Sequence, residues 1–173
     1  MIISNAKYYK DFNDVNCAVN ATIDGTVDAG TLAVNSRGTV LQVVTATTGT
    51  QVISSSSTYA DTGVTASITP SATSSKILVT VSQMGLDKRT NNTYMNLITL
   101  RGSTEIHRAN AQELYTANTD TSTGSCTWSY LDSPSSTSAV TYKTQFKSPP
   151  GNSQVAVQMS GATSTITLME IAG

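Results

Sequence analysis

Apolar and β-branched residues alternate with small polar ones along most of this chain. Val64, Ala66 and Ile68 do so in "VTASIT", Cys126, Trp128 and Tyr130 in "CTWSY", and Val140, Tyr142, Thr144 and Phe146 in "VTYKTQF". The pattern continues with Val155, Val157 and Met159 in "VAVQM", and in "TITLMEI" Ile166 and Leu168 oppose Met169 and Ile171. A period of two with β-branched enrichment predicts half-buried strands. Eight or more fit between Val40 and Ile171. Helical spacing is nearly absent, its best candidate being the short "IHRANAQELYT" at 106–116.

Turn-forming residues separate the strands: "TTGT" at 47–50, "TPSATSS" at 69–75, "TNN" at 90–92, "TDTSTGS" at 119–125, "SPSSTS" at 133–138 and "SPPGNS" at 148–153. Pro70, Pro134, Pro149 and Pro150 fall in these connections, where a missing N–H breaks no ladder bond. Short strands without intervening helices predict an all-β fold, an antiparallel β-sandwich or jelly roll.

Two segments are apolar on both faces. "TVLQVV" sets Val43 beside Val44, and "KILVTV" sets Ile77 beside Leu78. A strand covered on both sides needs a second burial partner, and another copy of the chain supplies one while protecting sheet edges. Ile77, Leu78, Val79, Val81, Ile166, Leu168 and Met169 are the residues expected to line the core and such a subunit interface.

Composition narrows the chemistry. The 173 residues suffice for one domain with a short appendage, 1–36 preceding 37–173. Charged residues are 12% and the formal net charge is -1, so no basic patch is available for phosphates, and a nucleic-acid partner is not expected. Aromatics are only 6%, while roughly three residues in ten are Ser or Thr, which predicts a thin core. No apolar run has the length of a signal peptide or membrane helix, so the chain is expected to stay in the cytoplasm that makes it.

Candidate catalytic groups are sparse. His107 is the sole histidine, and its neighbours Glu105 and Arg108 suggest an ordinary polar stretch rather than a triad. Nothing in the spacing of Asp61, Asp87, Glu105, Glu113, Asp120, Asp132 and Glu170 pairs two carboxylates for glycoside hydrolysis. Cys17 and Cys126 are too few and too far apart for a disulfide framework or a metal site. Neither a phosphate loop nor a calcium loop is present. No enzyme activity, cofactor or metal is expected.

Residues 1–36 carry a denser mix of charge and aromatics, and "NATIDGTVDAG" places Asp24-Gly25 as a hairpin turn. An isolated hairpin is marginal in water. This arm, with Tyr8, Tyr9, Phe12 and Ile23, is therefore expected to attach to another body. Loops of a sandwich are where recognition is expected. In "GLDKRTNNTY" (85–94) and "HRANAQELYTANTD" (107–120), Arg89, Asn91, Asn92, Tyr94, Arg108 and Tyr115 are the candidates for contact with a partner protein or a host glycan.

The blocks "GTVLQVV", "YADTG", "SITPSATSSKILVTVS" and "TLMEIAG", in that order over residues 37–173, resemble a module at the C-terminal ends of tail-fibre and other virion structural proteins of tailed bacteriophages, especially marine and cyanobacterial ones. "KYYKD" and "NCAVNATIDG" are similar to a short element of small structural proteins of those viruses. The resemblance implies a trimeric jelly roll similar to tumour-necrosis-factor-like heads, carried on a virion assembled in the host cytoplasm, with residues 1–36 bound to another virion protein. A tail fibre or tip, a capsid decoration protein and a soluble lectin-like module are the readings it leaves open. The chain departs from many relatives in having no shaft repeat before the module.

Overall fold

The computed structural model describes residues 38–149 and 153–173. The predicted hairpin and the attachment residues Tyr8, Tyr9, Phe12 and Ile23 lie outside them. In chain order the strands are β1 (Val40–Thr48), β2 (Val52–Ser54), β3 (Ala60–Ile68), β4 (Lys76–Arg89), β5 (Thr93–Arg101), β6 (Thr104–Thr116), β7 (Thr121–Asp132), β8 (Val140–Lys147), β9 (Val155–Val157) and β10 (Ser164–Ile171). They form two antiparallel sheets packed as a sandwich.

Pairing is nested. β1 pairs with β10, β3 with β8, β4 with β7 and β5 with β6. One sheet therefore runs β1-β10-β4-β7 and the other β3-β8-β5-β6. That order is a ribbon of strand pairs folded over on itself, the jelly roll that the sequence pattern left as one of two options. The short pair β2–β9 extends the first sheet beside the far end of β4.

The core is thin, as the shortage of aromatics requires. Ile77, Val79, Val81, Ile166 and Leu168 point inward from the first sheet and meet Val64, Met95, Leu97, Tyr142 and Phe146 of the second. Hydroxyl and amide groups complete the interior. The Trp128 indole N–H donates to Thr99 Oγ1 at 2.9 Å. Thr144 Oγ1 donates to Gln83 Oε1 at 3.2 Å, and Gln83 Nε2 to Ser164 Oγ at 3.0 Å, so a polar line crosses between the sheets. Trp128, Thr99, Thr144, Gln83 and Ser164 thus find partners, which removes most of the penalty of burying them, whereas Asn96 Oδ1 and Gln158 Oε1 are buried without one.

Three expectations about local structure are overturned. The segment at 106–116 is strand β6, not a helix. Its pairing with β5 slips between Thr93 and Met95, between Met95 and Leu97, and again further on; each irregularity shifts which side chain faces inward, so the period of two is lost and a helical period imitated. The predicted turn at 119–125 is mostly the start of β7, and of the predicted recognition loops, 107–120 is strand as far as Thr116, and 85–94 is strand as far as Arg89 and again from Thr93. β4 continues there because its polar side chains find partners: the wholly buried Lys88 donates to main-chain carbonyls, and Asp87 accepts from Arg89 Nε at 2.7 Å.

A bulge between Gln83 and Leu86 makes room for the connection from β9 to β10. Met84 O accepts from the Gln158 N–H at 3.0 Å, and a 3-10 turn at Met159–Gly161 follows. Gly85 lies in the left-handed region at φ 59°, against this turn.

At the opposite end, Glu170 fastens three segments. Its carboxylate accepts from the Ser71 amide at 2.7 Å, the Ser71 hydroxyl at 2.6 Å and Gln42 Nε2 at 2.6 Å. Burial alone would push this carboxyl up; the bonds from the Ser71 hydroxyl, Gln42 and the Ser71 amide outweigh it and hold the group at about 2, against an ordinary 4.5. A carboxyl depressed in the folded state stabilises it above the ordinary value, and that stability is lost as pH falls from about 4.5 through 2. Glu170→Gln is therefore expected to flatten the acid limb of a melting-temperature profile between about pH 5 and pH 2 and to lower stability by about 1.5–3 kcal/mol at neutral pH. Parallel profiles for the two proteins would overturn this assignment.

Candidate assembly face and loop tip

Strand alternation sends Ile77, Val79 and Val81 inward with no exposed surface, and leaves Leu78, Thr80 and Ser82 partly exposed on the outer face of the first sheet. Register aligns those outer residues into rows. Val43 pairs with Met169, Met169 with Leu78, and Leu78 with Leu131, an apolar row across all four strands. Two hydroxyl rows follow: Thr45, Thr167, Thr80 and Ser129, then Thr47, Thr165, Ser82 and Thr127. Within them Thr80 and Ser129 hydrogen-bond at 3.0 Å, and Ser82 and Thr127 at 3.3 Å. No charged side chain stands in these three rows; Lys76 lies at one end, 3.5 Å from Ser133 Oγ.

The outer face of the second sheet is the opposite in character. Asp61 accepts from Gln145 Nε2 at 2.7 Å and from Lys143 Nζ at 3.1 Å, and the Gln145 bond in particular holds its carboxyl below the usual range. Arg108 forms a two-pronged pair with Glu105 at 3.1 Å. Such exposed pairs contribute little to stability but keep a face wet. Exposed large apolar residues sort accordingly. Among the described residues Val40, Leu41, Val43, Ile53, Met84 and Leu131 all belong to the first sheet, and only Tyr115 belongs to the second.

The second feature is a tip where the β4–β5 and β6–β7 turns meet. Lys88 Nζ donates to the carbonyls of Thr90 at 2.9 Å and Thr119 at 2.6 Å, one in each turn. The Asn91 amide donates to Asp120 Oδ1 at 3.1 Å, and the Asn92 amide to Thr116 O at 2.9 Å. The Tyr115 hydroxyl donates to Asn92 Oδ1 at 3.2 Å, and the rings of Tyr94 and Tyr115 meet edge to face at 6.3 Å. Two turns are thereby tied into one surface.

Sequence-predicted residues distribute over both features. Ile77, Val79, Val81, Ile166 and Leu168 lie in the core, while Leu78 and Met169 lie in the outer apolar row. Asn91, Asn92, Tyr94 and Tyr115 gather at the tip. Arg89 stands at the end of β4, paired with Asp87, and Arg108 lies apart on the second sheet with Glu105. Sequence reasoning placed Val43 in a double-faced segment without naming it at the interface, and missed Leu131 as part of the row, although "TWSYLD" already places Leu131 opposite Trp128 in phase. It also missed Lys88, whose partners are carbonyls that no local pattern signals.

Two reactive groups are accounted for structurally. His107 stacks on Tyr130 at 5.4 Å. The Cys126 thiol donates to Glu113 Oε1 at 3.2 Å, and burial, reinforced by that carboxylate, pushes it up to about 12. At neutral pH the thiol is protonated and a poor nucleophile. Among the described residues no three His, Cys, Asp or Glu side chains are grouped to hold a metal, and no helix is long and apolar enough to cross a membrane.

No family model matches the chain, and no curated protein matches it. Among solved structures it is similar to the VP2 subviral particle of infectious bursal disease virus, at TM-score 0.37 and 11% identity, over 77% of this chain and 38% of that one. A structure of the Gx strain of the same virus aligns at TM-score 0.35 and 14% identity, over 76% and 37% of the two chains. The chain thus spans less than two-fifths of the length of these proteins. At TM-scores this low the function has to be argued from this chain's own surface.

Proposed function

We propose that this chain is a non-enzymatic structural protein of a tailed-bacteriophage virion, whose sandwich associates as a homotrimer through the outer face of the first sheet. The observation that carries the self-association is the set of three uncharged rows on that face, an apolar row beside two hydroxyl rows. A hydroxyl both donates and accepts, so a Ser/Thr row can hydrogen-bond to a different surface of the neighbouring copy, as a threefold ring requires, and a neutral face meets that copy without like-charge repulsion. The apolar row supplies the hydrophobic term, about 25 cal/mol per Å² buried. The charged second sheet remains outside.

The virion setting and the threefold stoichiometry are supported by the sequence blocks of residues 37–173. A tail fibre or tip component in host attachment is the placement proposed, with residues 1–36 as the link to another virion protein.

Light scattering on the purified chain is expected to return three times the protomer mass at micromolar concentration. Leu78→Lys places an ammonium at the centre of the apolar row, away from the core, and is expected to raise the dissociation constant about 100-fold or more while the folded protomer persists. A wild-type monomer would sink the assembly claim. Copy number on purified virions tests the placement: a small multiple of three fits the tail, whereas a hundred or more copies would transfer the protein to the capsid shell as a decoration protein.

A further inference from the structure

We infer that the tip made by residues 90–94 and 115–120 is a binding site for a neutral polyhydroxylated ligand, a saccharide, with Tyr115 as its platform. This site lies on the other sheet's strands and turns, and it does not depend on how copies of the chain associate. Tyr115 is 47% exposed and is the one large apolar side chain exposed on the second sheet among the described residues. Its ring is not loose. The hydroxyl is fixed by Asn92 Oδ1 and the ring packs at 69° to that of Tyr94, while 47% of the residue stays open to solvent.

The surroundings fit a sugar's chemistry. Asn91, Asn92, Asn118, Thr119 and Asp120 are exposed on the same two turns, a set of amides, hydroxyl and carboxylate that both donates to and accepts from hydroxyl groups. A neutral ligand fits better than an anionic one, because cations are few here: Lys88 is buried on two carbonyls, and Arg89, 44% exposed, already shares its charge with Asp87. A protein interface wants a contiguous apolar centre, and Tyr115 stands alone. The ties from Lys88, Asp120 and Thr116 hold both turns before any ligand arrives, so little ordering entropy remains to oppose binding.

The test uses the full chain with tyrosine-selective isotope labelling, titrated with a panel of neutral di- to hexasaccharides of hexoses and N-acetylhexosamines. At least one member is expected to shift the Tyr94 and Tyr115 ring signals saturably, and Tyr115→Ala to weaken that binding about tenfold or more with an unchanged unfolding midpoint. Lys88→Met is expected to weaken it too, by releasing the turns; where that variant does not fold, Asn92→Ala replaces it. A panel that moves neither ring, or equal binding by Tyr115→Ala, would overturn the inference. So would a ligand that binds only in anionic form. Light scattering on the same samples keeps this outcome separate from the oligomeric state.

Discussion

Asp132→Ala is expected to lower the unfolding free energy by about 2–4 kcal/mol, the largest effect foreseen for a single polar side chain in this fold. Asp132 ends β7 in the first sheet and is almost fully buried. It accepts from Arg101 Nη1 at 3.0 and 2.9 Å and from the Tyr142 hydroxyl at 2.7 Å, both from strands of the second sheet. Truncation leaves the buried Tyr142 hydroxyl without this acceptor, a loss that water cannot reach, and removes the counter-charge of the Arg101 guanidinium, which is 31% exposed and recovers part of its loss from solvent. Burial, then the Asp132 bond and charge, push the Tyr142 phenol far up, so it remains a donor throughout the neutral range. Tyr142→Phe removes one donor and keeps the ion pair, and is expected to lower stability by only about 1 kcal/mol. Urea unfolding of both variants decides the matter. A loss below about 1 kcal/mol for Asp132→Ala would show that the pair contributes nothing beyond its desolvation.

Gly85→Ala is expected to destabilise the domain by about 3 kcal/mol or more, through backbone strain and overpacking together. A Cβ at this position would stand 2.5 Å from the Met159 nitrogen and 2.9 Å from its carbonyl oxygen, with the Ala162 Cβ at 2.8 Å. Main-chain atoms cannot swing aside as a flexible side chain can. The left-handed φ adds its own penalty for any residue with a Cβ. Gly102 provides the control: it has a similar φ of 58° but open space where a Cβ would go, so Gly102→Ala is expected to cost only about 1–2 kcal/mol. Thermal unfolding of the pair separates strain from crowding, and equal losses in both would remove the close-packed β9–β10 connection as the reason for Gly85.

Much of this architecture is legible in the one-dimensional pattern. Alternation at 64–69, 76–81, 140–146 and 165–171 predicts strands that the structure contains, because a strand buried on one face must place apolar residues at every second position. The adjacent pair Ile77 and Leu78 predicts two environments, and the structure separates them into core and outer face. The pattern fails where the ladder is irregular. In β6 the register slips hide the strand, and in β4 the bulge at Gly85 reverses the phase just where Leu86 and Lys88 become buried. Lys88 itself is opaque to sequence reasoning, since a lysine between Asp87 and Arg89 reads as solvated until two distant turns bring their carbonyls to it.

The amino-acid sequence by itself determined the fold class, the strand-rich body, the scarcity of charge and the double-faced character of the strands at 40–44 and 76–81. Those properties depend on each residue and its immediate neighbours. Tertiary structure decided the rest. Only the nested pairing of β1 with β10 and of β4 with β7 brings Val43, Met169, Leu78 and Leu131 into one row, and only the meeting of two turns makes Tyr115 a fixed platform. Register between strands far apart in the chain is set by the sum of many weak side-chain contacts, so the surfaces on which this protein acts emerge at the level of the folded sheets.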